Sequence, residues 1–98
     1  MTAYLVASYT ITDQGGYAPY PAAVAPTLPA FGGELIVGDF QSHALEGAPH
    51  PVTIIVRFPS KDAALGWYNS PEYRAIVNLR TDHTVGTAVV VDEWASPA

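Results

Sequence analysis

Residues 52–73 read VTIIVRFPSKDAALGWYNSPEY, and three signals inside them set the architecture. Val52, Ile54, Val56 and Phe58 alternate against Thr53, Ile55 and Arg57, the two-residue period of a strand. Pro59 ends it. Ser60 follows as a helix N-cap with Asp62 in the first turn, where a carboxylate suits the helix dipole, and Ala64, Leu65, Trp67 and Tyr68 recur at helical spacing. Ser70-Pro71-Glu72 repeats the start signal of cap, proline and acid. The helix therefore breaks and restarts, running on through Tyr73, Ile76, Val77 and Arg80.

Downstream, Val85 to Val91 is a strongly apolar strand, and 92–98 is a tail carrying Trp94. Upstream, 41–51 has the composition of an exposed connection around Leu45-Glu46-Gly47, and Glu34 to Phe40 is another strand. Ala3 to Ile11 is the first strand, with Leu5, Ala7, Tyr9 and Ile11 on one face and Tyr4, Val6, Ser8 and Thr10 on the other. Asp13 offers a cap for a helix over Tyr17 to Phe31, where Tyr20, Val24, Leu28 and Phe31 have helical spacing and Gly32-Gly33 supplies the exit. Pro26 and Pro29 each delete a backbone donor in that segment, at about 3 kcal/mol apiece in a regular interior. The spacing thus predicts a helix that is short, kinked or split near Pro26.

The order is β-α-β-β-α-β, which predicts an α+β, ferredoxin-like antiparallel sheet with helices on one face. The other face, whichever strand parity supplies it, carries Val6 or Leu5, Ile55 or Ile54, and Val90 or Val89. An apolar second face must be covered. With no further residues to cover it, a homodimer packed sheet against sheet is the expectation.

Composition narrows the partners. Ninety-eight residues suit a single domain spanning 1–98, which buries roughly two-thirds of its surface. The chain has no cysteine, which excludes disulfides, thiolate metal sites and cysteine nucleophiles and fits a reducing cytosol. Nine acids against four bases give a net charge of −5, the wrong sign for a nucleic-acid backbone. At 49% hydrophobic and 13% charged the chain folds. No apolar run approaches the roughly 18 residues that span a bilayer, and the N-terminus lacks a basic leader, so a cytoplasmic protein without membrane contact is expected. Gly15-Gly16 and Gly32-Gly33 lack the spacing of a phosphate loop, so no cofactor is expected.

Arg57-Phe58-Pro59-Ser60 with Ala63-Ala64, Trp67-Tyr68, Ser70-Pro71-Glu72-Tyr73 and Arg80 resembles the signature of the bacterial family catalogued as domain of unknown function 1330. Tyr4, Asp13 with Tyr17, Gly32-Gly33, Leu45-Glu46-Gly47 and Val91-Asp92 follow in the family's order, so the resemblance covers nearly the whole chain. It implies a dimeric α+β barrel, an architecture shared with small cofactor-independent monooxygenases, muconolactone-type isomerases and polyketide cyclases. It implies no established reaction. Two departures stand out: Arg57 replaces the family's usual glutamate before Phe-Pro-Ser, and the first helix carries Gly15-Gly16 and four prolines from Pro19 to Pro29.

Candidate site residues follow from chemistry. Arg57, a cation on a central strand, needs an anion: Glu34, Asp39 or Glu93, or a ligand carboxylate held by its planar fork. His43 and His50 are proton-transfer candidates or exposed loop residues. Asp39 is a base if enclosed and a solvated edge acid otherwise. Tyr20, Trp67, Tyr68 and Tyr73 offer flat apolar faces with polar tips, for core packing or for lining a cavity. Arg80 suits the end of the second helix. The histidines lack ligand spacing, so no metal site is expected. These readings lead to two functions: a cofactor-independent isomerase, cyclase or monooxygenase acting on a small aromatic or polyketide-like acid, or a non-catalytic binding or dimerisation module.

Overall fold

The computed structural model describes residues 1–95. Its four strands are β1 (Ala3–Ile11), β2 (Glu34–Asp39), β3 (Val52–Phe58) and β4 (Thr84–Asp92). They form one sheet in the order β2-β3-β1-β4, with every neighbouring pair antiparallel. The expected tail over 92–98 gives Asp92 to β4, and its last three residues lie outside the described ones.

Cross-strand register sorts the side chains into rows. On one face Leu35, Val56, Leu5 and Val90 share a row, Gly38, Ile54, Ala7 and Ala88 the next, and Val52, Tyr9 and Gly86 the one beyond. The helices pack on this face, and Leu5, Ala7, Tyr9, Val52 and Val56 join a core with Tyr17, Tyr20, Leu28, Ala64, Trp67, Tyr73 and Val77. A bulge between Leu35 and Val37 shifts the β2 register, so that Val37 falls on the opposite face and Gly38 returns to this one.

The first helical segment is split near Pro26, as the sequence predicts, and also between Tyr17 and Tyr20, ahead of Pro21, which it does not. Asp13 caps α1 (Gln14–Tyr17), α2 covers Tyr20–Val24, and the chain continues as two short 3-10 turns at Ala25–Thr27 and Pro29–Phe31. Pro26 and Pro29 each open one of those turns, where a missing N–H costs little. Gly32 then exits at φ 71°, a left-handed conformation that favours glycine. After β3, Ser60 caps α3 (Lys61–Tyr68) and Ser70 caps α4 (Pro71–Arg74), while α5 (Asn78–Thr81) adds a second break beyond the expected one.

The opposite face of the sheet carries no helix. Val37, Ile55, Val6 and Val89 form an apolar row across all four strands, flanked by Glu34, Arg57, Tyr4 and Val91 on one side and Asp39, Thr53, Ser8 and Thr87 on the other. Val85, Val89 and Val91 are exposed. The chain is a slab with Cα extents of 46 × 37 × 16 Å. Its surface of 5968 Å² exceeds the roughly 5,400 Å² typical of a monomer of this mass.

Candidate functional site

A pocket of about 410 Å³ lies between sheet and helices, and the rows explain why it is there. Three of the four residues in the Gly38–Ile54–Ala7–Ala88 row are glycine or alanine, so the helical layer finds little side chain to meet at that level. Gly38, Ile54, Ala7 and Ala88 form the floor, while Val24, Ala25 and Leu28 of the split helical segment form an opposite wall with Pro21 and Pro29. Pro29, one of the two prolines that interrupt the first helix, thus forms part of that wall. Leu35 and Phe40 line the pocket yet are 57% and 48% exposed, which places its mouth beside β2.

One end is polar. Five of the six tyrosines line the pocket, and four of them pair through their hydroxyls: Tyr9 with Tyr17 at 2.7 Å and Tyr20 with Tyr73 at 2.7 Å. Arg80 Nη2 donates to the Tyr73 hydroxyl at 3.5 Å, and its guanidinium carbon lies 5.9 Å from the Tyr9 ring centre. Burial raises the hydroxyls of Tyr9, Tyr17 and Tyr20 above the ordinary phenol value, so they stay protonated at neutral pH, and in each pair one O–H is spent on its partner while the other is free to donate. Burial works against the charge on Arg80 and the facing Tyr73 and Tyr20 side chains favour it, and a guanidinium stays ionised at every accessible pH. Apolar walls closed at one end by phenols and a cation suit a flat, mainly hydrophobic molecule with an acceptor oxygen at its tip.

The sequence-derived candidates divide by location. Tyr20, Tyr68 and Tyr73 line the pocket. Trp67 stands behind it, 1% exposed, its ring 4.0 Å from that of Tyr73 and its indole N–H donating to Thr27 Oγ1 at 2.9 Å. Arg57 lies on the uncovered sheet face, where its Nη2 pairs with Glu34 Oε2 at 2.8 Å. Asp39 is exposed on that face and accepts from the Gln41 amide. His43 is exposed in the β2–β3 connection, and His50 Nδ1 bonds Thr10 Oγ1 at 2.8 Å. Strand parity sends Arg57 and Asp39 away from the pocket, and none of these four residues lines it. Among the described residues no group of three His, Cys, Asp or Glu could hold a metal ion.

Sequence reasoning did not single out Tyr9, Tyr17 or Arg80 as pocket residues. Arg80 sits in the last turn of α5, at the helix end the sequence assigns it, but its side chain lines the pocket. It follows Tyr73 by seven residues, two helical turns, and that spacing was the available sign that both face the same way.

These features define a class: a small α+β sandwich whose antiparallel sheet carries its helices on one face, with a mostly apolar pocket between the layers. Within that class the chain belongs to the family described as Domain of unknown function (DUF1330), whose model matches residues 2–94. Among solved structures it is similar to RPA0582, a protein of unknown function from Rhodopseudomonas palustris, with a TM-score of 0.77 and 16% identity over 97% of this chain and 84% of that one. It is similar also to SnoaB, a cofactor-independent oxygenase from Streptomyces nogalater, with a TM-score of 0.69 and 9% identity over 97% and 95% of the two chains. Rv0793 from Mycobacterium tuberculosis has a TM-score of 0.58 at 11% identity, with both chains covered in full. At these identities the likeness is one of fold. No curated protein matches the chain. Among the described residues no helix is long and apolar enough to cross a membrane.

Proposed function

We propose that this chain is a small cofactor-independent enzyme of isomerase, cyclase or monooxygenase type. Its substrate is a small aromatic or polyketide-like organic acid, taken into the pocket between sheet and helices. The observation that carries this reading is the pocket's polarity: apolar walls and one end closed by paired phenols and a guanidinium. The free O–H of each phenol pair, donating to a bound acceptor between apolar walls, stabilises negative charge that develops on oxygen, as an enolate or phenolate. Tyr20, Tyr68 and Tyr73 are the ligand-facing groups. Arg57, with Glu34, belongs to the sheet face through which two copies of the chain pack as a homodimer. The fold shared with a cofactor-independent oxygenase supports the enzyme reading by analogy alone.

One observation favours a non-catalytic binding module instead. Neither a histidine nor a carboxylate lines the pocket among the described residues, so the side chains that ordinarily move protons near neutral pH are missing from it.

Gly38 provides the test. A Cβ placed there meets only Ile54 Cδ1 at 4.0 Å, so Gly38→Leu fills the floor without disturbing the sheet. Calorimetric titration with a panel of aromatic acids and polyketide-like lactones should show binding to the wild type and at least tenfold weaker binding to Gly38→Leu, with unchanged circular dichroism. Equal binding to both proteins would remove the pocket from the account. Product analysis by chromatography with the bound compounds then separates turnover from binding.

A further inference from the structure

The four bases of this chain are placed differently from one another. Arg57 pairs with Glu34 at 2.8 Å and Lys61 with Asp92 at 3.5 Å, both at the surface. Arg74 lies over the Tyr68 ring at 4.3 Å and donates to the Tyr68 carbonyl. Arg80 is turned inward, lines the pocket and, among the described residues, forms no ion pair, although the chain has nine acids.

A guanidinium has five N–H donors and no acceptor. Arg80 is held only by phenol hydroxyls, at a long 3.5 Å from that of Tyr73 and facing that of Tyr20. No fully buried side-chain nitrogen or oxygen in the structure lacks a partner, so its remaining donors open onto the pocket space. Holding a cation half-buried beside apolar walls without a counter-charge is unfavourable, and a hydrophobic side chain of similar volume would pack there more stably. Its backbone is fixed all the same: the Arg80 carbonyl accepts from Thr84 Oγ1 at 2.8 Å and from the His83 amide at 3.1 Å. The cation is therefore held ready at the pocket's polar end.

We propose that Arg80 is the anchor for the ligand's anionic group. The site takes a planar organic monoanion, a carboxylate or a delocalised enolate or phenolate, which enters from the β2 side with its oxygens toward Arg80. The planar fork of the guanidinium receives two oxygens side by side, and the hydroxyls of Tyr73 and Tyr20 flank it. The aliphatic walls around Val24, Leu28 and Ile54 then receive the uncharged body of the molecule. A polyanion is excluded, because no second cation lines the pocket among the described residues. The assignment rests on the pocket reading above and adds to it the charge, the orientation and the residue that selects them.

The test uses matched pairs: 2-naphthoate with 2-naphthamide, and anthraquinone-2-carboxylate with its amide, titrated by calorimetry into the full chain and into Arg80→Met. The wild type should prefer each carboxylate roughly ten- to a hundredfold over its amide. Arg80→Met should bind the two members alike, with the amide held as in the wild type and a melting temperature equal to or above the wild-type value. A carboxylate preference that survives in Arg80→Met, or wild-type affinities equal within each pair, overturns the anchor while leaving the pocket standing. Absence of binding by every compound to the wild type overturns both readings. Loss of the melting transition in Arg80→Met would mark Arg80 as a structural element; Arg80→Lys, which keeps the charge but loses the fork, should then still prefer carboxylates, and failure to do so overturns the anchor.

Discussion

A methyl group on Gly86 would collide with the backbone of β1. Its Cβ would lie 2.5 Å from Tyr9 Cα and would meet the Ser8 carbonyl oxygen, and neither atom can give way without moving the central strand. Gly86→Ala should therefore destabilise the chain by about 1–3 kcal/mol in urea denaturation, where a substitution at an exposed strand position ordinarily changes little. The tyrosines set a second expectation at this scale. Tyr9, Tyr17 and Tyr20 are held protonated by burial in the folded chain, whereas in the unfolded chain they ionise near their ordinary value of 10.0. Above that pH the unfolded state binds fewer protons than the folded state, and stability falls as pH rises. Melting temperature measured from pH 7 to 11 should stay level with respect to these groups up to about pH 9 and drop beyond it. Tyr9→Phe with Tyr17→Phe should soften that drop. The alternation of β1 put Tyr9 on a definite face in the sequence, but its bond to Tyr17 arises only when α1 folds back over the sheet.

The two serine caps are equivalent as sequence signals but not as elements of the fold. Ser60 accepts from the Ala63 amide at 3.0 Å at a half-buried helix start, and Ser60→Ala should cost about 1 kcal/mol. Ser70 is 4% exposed, accepts from the Tyr73 amide at 3.2 Å and donates to the Trp67 carbonyl at 2.7 Å. Its removal leaves the buried Tyr73 amide without its acceptor, while the Trp67 carbonyl keeps the Ser70 amide at 3.1 Å, and Ser70→Ala should cost about 2 kcal/mol in the same denaturation experiment. It should also loosen the stacking of Trp67 on Tyr73 and with it one wall of the pocket, which near-ultraviolet circular dichroism would register. The broken first helix was legible because proline's missing N–H acts locally. That its fragments become a pocket wall was not, since nothing local in Pro21 or Pro29 states what lies across from them.

For the whole molecule the uncovered sheet face is the ground for the proposed homodimer. The apolar row Val37–Ile55–Val6–Val89 runs across all four strands, and burying each such side chain against a second copy contributes about 1.5–3 kcal/mol before the costs of association. The flanking Arg57–Glu34 pair is exposed and adds little in the free subunit. Sedimentation should find a dimer at micromolar concentration. Ile55→Arg, at the centre of the row, should give a folded monomer, with the dimer weakened by a hundredfold or more. A wild-type monomer at that concentration would end the proposal of sheet-face packing.

The sequence by itself determined the strands, the order of the elements, the capped restarts of the second helical region and the broken first helix. Each of these follows from periodicity or from backbone chemistry acting over a few residues. Tertiary structure alone decided where charge sits. The sequence offered Arg57 either an acid such as Glu34 or a ligand, and set Arg80 at a helix end; strand parity put Arg57 on the uncovered face beside Glu34, while chain folding aimed the Arg80 side chain into the pocket. The pocket itself is likewise a product of register. Gly38, Ala7 and Ala88 lie far apart in the chain, and only the pairing of β2, β3, β1 and β4 sets their small side chains in one row, where missing volume becomes a cavity.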